Sequence, residues 1–156
     1  MTAIDAESLA EALDQTTAFV FETMLGARVD ARPAAGLPDR ARSITAAVHY
    51  TGSWRGVLLL ECDSAAALAL TRLMLGEEPP DWDGAVCDAL AELVSMIGGN
   101  LRFHLPPGAQ LSVPSIVRGF RYSPWLCGKG ERVRRAYRSG STELCITVLE
   151  SPGAAG

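Results

Sequence analysis

Three residues of types that can do chemistry, Asp88, Glu92 and Ser95, share one face of a single helical period with Gly99. At about 100° per residue the four fall within roughly 60° of arc. Packing alone would not require polar residues there. The Ser95 hydroxyl can both donate and accept a hydrogen bond. The opposite face, Leu90, Leu93, Val94, Ile97 and Leu101, is apolar and sufficient to dock the helix on a sheet. Gly98 and Gly99 sit inside this periodic stretch at a cost of about 1 kcal/mol each relative to alanine. Either the helix stops there, or something approaches it closely, another backbone or another protein.

The elements that must position this stripe follow from patterning. A first helix is expected over 5–25, with Leu9, Leu13, Val20 and Met24 in its stripe, Thr2 and Asp5 placed for a capping box and Gly26 as its stop. A short strand is expected over 27–32. Residues 43–51 alternate, Ile44, Ala46, Val48 and Tyr50 inward and Thr45, Ala47 and His49 outward. They turn at Gly52-Ser53 and return over 54–62 as a hairpin. Asp63 or Ser64 caps a second helix over 65–75, and Pro79-Pro80 lies in the loop leading to the site helix at 83–101. Pro114 marks the strand over 110–117 as an edge. Residues 120–129 read as irregular. A last hairpin, 131–138 and 142–150, turns at Ser139-Gly140-Ser141. The order predicts an α+β domain, a mostly antiparallel sheet with two long helices and a shorter one on one face. One domain over 1–156 is expected, with its core at 5–150 and a tail at 151–156.

Composition narrows the function. Of 156 residues, 48% are apolar and 21% charged, an ordinary globular balance. The net charge of −4 argues against a general nucleic-acid binder. No strongly apolar run has the length of a membrane span, and the first residues lack a signal-peptide pattern, so a cytoplasmic location is expected. Cys62, Cys87, Cys127 and Cys145 lie far apart without metal spacing and read as free thiols. Arg118, Arg121, Arg132, Arg134, Arg135 and Arg138 gather in the second half, as a solvated strand face or a surface that steers an acidic partner. His49 and His104 have no carboxylate or cysteine partner in sequence; one points out of a strand and the other falls at the end of the site helix. Trp54, Trp82 and Trp125 are scattered, as packing anchors are. Phosphate-binding loops, a zinc-protease helix and a nucleophile elbow are absent from the sequence.

Four segments in order resemble the CheX-type chemotaxis phosphatases of the CheC/CheX/FliY family. They are Phe21-Glu22-Thr23-Met24-Leu25-Gly26, Ser53-Trp54-Arg55-Gly56, the site helix from Asp88 to Leu101, and Leu111-Ser112-Val113-Pro114. The resemblance runs over about residues 6–150. It implies a CheX-like fold and a site of Asp or Ser, three residues, Glu, two residues, then Asn. It also implies a CheY-like phosphorylated response-regulator receiver domain as partner. In the family the glutamate pairs with the receiver's lysine and the asparagine orients the water that attacks the aspartyl phosphate. The receiver supplies its own Mg2+, so no cofactor of this chain's own is implied. By that pattern Glu92 and Ser95 are the catalytic positions, and Asp88, Glu92 and Gly99 contact the partner. Ser95 replaces the asparagine and is about one bond length shorter in reach; Asn100 lies about 140° round the helix and cannot stand in.

The first and second helices hold no second copy, since Asp14 and Asp63 are followed four positions on by Ala18 and Ala67. Two readings stay open. The chain is an aspartyl-phosphate phosphatase of two-component signalling, weakened at Ser95, or a receiver-binding or dimeric scaffold module without the chemistry. The resemblance also implies a homodimer formed through sheet edges, for which the last hairpin has the alternating pattern.

Overall fold

Helix caps and turns set the element boundaries. In a computed structural model, the described residues are 4–33, 43–79, 82–118 and 130–151. Asp5 caps α1 (Ala6–Val20) by accepting from the Ser8 amide at 2.8 Å, the kind of side-chain cap that satisfies an otherwise orphaned helix donor. The helix continues as a π-helical turn, Phe21–Leu25, and stops at Gly26 in the left-handed region at φ 61°. β1 (Asp30–Pro33), β2 (Ser43–Gly52) and β3 (Gly56–Asp63) follow. Asp63 caps α2 (Ser64–Leu75), which Gly76 ends. The site helix, α3, runs Trp82–Leu101 and closes in a 3-10 turn, Arg102–His104.

The expected strand at 110–117 is two strands, β4 (Ala109–Leu111) and β5 (Ser115–Arg118), both paired with β2. Pro114 has no amide to donate, so the ladder breaks ahead of it. The last hairpin is β6 (Gly130–Ser139) and β7 (Thr142–Glu150).

All seven strands form one sheet in the order β1-β6-β7-β3-β2-β4, with β5 also on β2, and every pairing is antiparallel. The last hairpin is an edge only in part: β7 lies between β6 and β3, and β1 pairs with the Arg135–Arg138 end of β6, so its Gly130–Arg134 half has no outer strand among the described residues. The outward face of the first hairpin also differs from expectation. Thr45 and Ala47 point away from the helix-side core yet are fully buried, and Ala47 packs with Val57, Leu59 and Leu149 in a second cluster.

The helices share the other face. Leu9 and Leu13 of α1, Leu70 of α2 and Leu90 of α3 join Val48, Leu58 and Ile146 of the sheet in one core. α1 is tied down by its Asp14, which accepts from Arg135 at 3.0 and 2.8 Å and from the Tyr137 hydroxyl at 2.7 Å. The arginines expected as a patch are in part engaged within the chain: Arg132 with Glu150, Arg135 with Asp14, Arg138 with Glu143, and Arg118 with Asp83. Arg121 lies outside the described residues, as do the irregular stretch at 120–129 and the tail beyond Ser151.

Four buried groups make the fold sensitive to alkali, Cys145 among them, whose thiol burial also raises. Burial pushes the Cys62 thiol up to about 12. Burial raises the Tyr50 hydroxyl well above its ordinary value; it does the same for Tyr137, helped by the bond to Asp14. In the unfolded chain a thiol ionises near about 8.5 and a phenol near about 10. A raised folded value means the stabilisation is complete below those unfolded values and is lost progressively as pH rises from them toward the folded ones. We expect Tm to fall by several degrees between pH 8 and pH 10.5 in thermal melts, and Cys62→Ala to make the fall between pH 8 and pH 10 shallower, with Cys145 accounting for what remains. An unchanged Tm up to pH 10.5 would contradict this.

Candidate functional site

The core side of α3 is sealed. Val86, Leu90, Leu93, Val94, Ile97 and Leu101 are all fully buried, each stabilising the fold by about 1.5–3 kcal/mol. Those six outweigh the two glycines many times over, so the helix runs straight through Gly98 and Gly99 and does not stop at them. By length and composition α3 would pass as a membrane span, with a mean hydropathy of 1.2. Its apolar face is instead the centre of the core.

The two glycines have different surroundings. A β-carbon on Gly98 would stand 2.8 Å from Val48 Cγ2 and 3.3 Å from the Tyr50 hydroxyl, so the bare position lets helix and sheet touch. Tyr50 donates its hydroxyl hydrogen to the Gly98 carbonyl at 2.8 Å. That carbonyl lies near the C-terminal end of α3, and the bond to it gives the buried tyrosine hydroxyl its partner. Gly99 has no such reason: a β-carbon there would meet only Leu111 Cδ2, at 4.0 Å.

Two further contacts aim the helix. Arg118 of β5 reaches Asp83 at 3.3 Å and Cys87 Sγ at 3.7 Å, pinning the N-terminal end. Between β4 and β5, Ser112 is clamped to His49: the His49 amide donates to Ser112 Oγ, and the Ser112 amide donates to the His49 carbonyl, both at 2.9 Å. This holds Pro114 against the polar face of α3. The Trp54 ring folds over Gly56, where any side chain would collide with it, and meets Tyr50 edge-on at 5.5 Å. The Ser53-Trp54-Arg55-Gly56 turn thus buttresses the tyrosine that holds the site helix.

Asp88, Glu92 and Ser95 line an open groove of about 640 Å³, together with Ala91, Met96 and Pro114. Asp88 and Glu92 are exposed and Ser95 is half-buried. Among the described residues none of the three has a hydrogen-bond or ion-pair partner, whereas Asp14, Asp83, Glu143 and Glu150 each face an arginine. Like charges at i and i+4 on a helix cost about 0.2–0.5 kcal/mol, and here nothing within the chain offsets that. Gly99 follows on the same helix face but is not part of the groove wall. Asn100 is turned away from the groove and donates to the Met96 carbonyl at 2.7 Å. Pro114 and Met96 complete the groove; sequence spacing could not place a loop proline against a helix some twenty residues earlier. Among the described residues, no three His, Cys, Asp or Glu side chains converge as a metal site would require.

The fold and groove together define a one-sided α+β sheet domain that presents a single acidic helix face. The family model for the chemotaxis phosphatase CheX matches residues 44–147, from β2 through the site helix to β7. The chain belongs to that family. No curated protein matches it. Among solved structures, CheX of Desulfovibrio desulfuricans is 19% identical at a TM-score of 0.73, covering 92% of this chain and 99% of that one. CheX of Vibrio vulnificus is 17% identical at 0.74, covering 92% and 96%. CheX of Borrelia burgdorferi, in a CheX-CheY-BeF3-Mg2+ complex, is 17% identical at 0.70, covering 91% and 97%. At such identities these likenesses show the fold.

Proposed function

We propose that this chain docks a phosphorylated CheY-like receiver domain on the groove of α3 and hydrolyses its aspartyl phosphate. The observation that carries the reading is Glu92, exposed beside Asp88 in the groove and without a hydrogen-bond or ion-pair partner among the described residues. A lysine from the partner relieves the repulsion between the two carboxylates and fixes the partner's orientation. The CheX of Borrelia burgdorferi bound to CheY supports the class of partner. Water adds to phosphorus as the bond to the aspartyl oxygen breaks, releasing inorganic phosphate and the free carboxylate. The receiver brings the Mg2+ that stabilises the leaving charge, and the helix contributes positioning, which is most of what phosphoryl transfer asks of a protein.

Ser95 Oγ has no hydrogen bond among the described residues, so its proton and lone pairs are open to water. Its short reach leaves a gap that a second water bridges, and this limits the rate. That same short reach favours a second reading, in which the groove binds the receiver and no hydrolysis follows.

The reading places the protein in the cytoplasm. Strand pairing into a homodimer would use β1 or the β4–β5 side, the outermost strands among the described residues. The test is decay of acyl phosphate from the receivers of the same cell, each with and without this protein. We expect acceleration of one receiver, lost to the background rate in Glu92→Ala. Binding of that receiver without acceleration would establish the second reading, and neither binding nor acceleration would sink both.

A further inference from the structure

The face of α3 that carries Glu92 does not end at the groove. Gly99 follows Ser95 by one turn, and Phe103 stands in the 3-10 turn that closes the helix, about 17 Å along the axis from Glu92. Phe103 is 77% exposed, an extreme for a phenylalanine. It lines a second hollow of about 270 Å³ between the end of α3 and α1, with Asn100, His104, Gln15, Thr16 and Phe19. Phe19 is itself 55% exposed, as is Met24 in the π-helical turn that follows. Apolar residues of this size stand uncovered on the surface next to an acidic groove.

The two halves differ in what they can supply. Charges on an open groove steer a partner and fix its register but add little affinity at physiological salt. Affinity in protein interfaces comes from a few aromatic anchors in a desolvated centre. A stable contact covers about 800 Å² per partner, more than a groove walled by six residues offers. Between the halves lies Gly99, bare although an alanine would fit against everything within the chain. A partner lying across the helix from Glu92 to Phe103 would pass over that position.

We propose that Phe103, with Phe19 across the hollow, is the apolar anchor of the receiver-docking surface whose acidic half holds Glu92, and that Gly99 leaves room for the partner's backbone between them. The inference rests on the proposed function. The occupant is the receiver domain, through apolar surface beside its phosphorylated aspartate.

The experiment titrates the receiver identified by the decay assay, reading both the half-saturating concentration and the saturated rate. Phe103→Ala and Phe19→Ala raise the half-saturating concentration by about tenfold, with less than twofold change in the saturated rate. Gly99→Ala raises it too while raising Tm, a combination that damage to the fold cannot produce. Leu73→Ala, an exposed apolar site on α2 that lines neither hollow, leaves both readouts unchanged. Circular dichroism confirms that the variants fold, as expected for such exposed positions. If Glu92→Ala abolishes decay but Phe103→Ala shifts half-saturation by less than twofold, the anchor is wrong and the proposed function stands. If Phe103→Ala instead dissolves a dimer seen by light scattering, with receiver affinity unchanged, the hollow belongs to a second copy of this chain and the inference falls. If the native protein neither binds nor acts on any receiver, both fall together.

Discussion

Ser95→Asn raises the rate of receiver dephosphorylation by about a hundredfold, equivalent to about 2.7 kcal/mol of barrier. The groove leaves room for the longer side chain, since Ser95 lines an open space of about 640 Å³ and its hydroxyl has no partner among the described residues. Serine and asparagine have similar helix propensities, so the exchange leaves α3 intact. An asparagine amide adds a rigid plane with donors and an acceptor, about one bond further out, where a water attacking the phosphorus would sit. The gain requires Glu92, so Ser95→Asn combined with Glu92→Ala returns to the background rate. The companion Ser95→Ala separates the two readings. It lowers the native rate if the hydroxyl holds water, and changes nothing if the native groove only binds. A Ser95→Asn rate within threefold of native, with receiver binding retained, would show that the missing group is not what limits the chemistry.

The polar stripe was legible because a helix period is local: Asp88, Glu92 and Ser95 share a face in any α-helix, and the structure needed only to leave that face uncovered. Leu90, Leu93, Val94, Ile97 and Leu101 were legible for the same reason, although Val86 extends the buried face one turn earlier than expected. Caps were equally local, as Asp63 and Gly76 around α2 show.

What was not legible depended on neighbours distant in sequence. The order of strands puts β7 inside the sheet and covers the Arg135–Arg138 end of β6, because β3 and β1 come to flank the last hairpin. Pro114 was readable as a strand break, but its place in the groove wall depends on the Ser112–His49 clamp, 63 residues apart. The cluster of arginines on β6 looked like one surface; Arg132, Arg135 and Arg138 turned out to face single carboxylates on α1 and β7, while Arg134 has no carboxylate partner among the described residues. Phe103 could be placed near the stripe by period, but not its exposure. Only the path of α1 beside the end of α3 shows that its ring stays largely exposed, with the Arg102 guanidinium 5.5 Å above it.

Gly98→Ala and Gly99→Ala shift stability in opposite directions, although they are adjacent and chemically identical changes. In an open helix each would stabilise by about 1 kcal/mol, because alanine has less backbone entropy to lose. At Gly98 the new methyl is driven to 2.8 Å from Val48 Cγ2 and 3.3 Å from Leu111 Cδ1. Val48 is fully buried in the central part of β2, and its branched side chain has no other rotamer to retreat to without displacing the core. Overpacking of this kind costs about 1–3 kcal/mol. The helix must lift, and lifting stretches the bond from Tyr50 to the Gly98 carbonyl, which leaves two buried polar groups poorly paired. The net effect is a loss of about 1–2 kcal/mol, or a Tm lower by about 2–8 °C for a chain of this size. At Gly99 the methyl meets only Leu111, at 4.0 Å, so the helix gain is kept and Tm rises by about 2–4 °C. Thermal melts of both variants at pH 7.5 decide the matter. Equal shifts in one direction would mean that α3 does not sit on Val48 and Tyr50 at this distance. In that case Glu92 and Ser95 would also face a different surface.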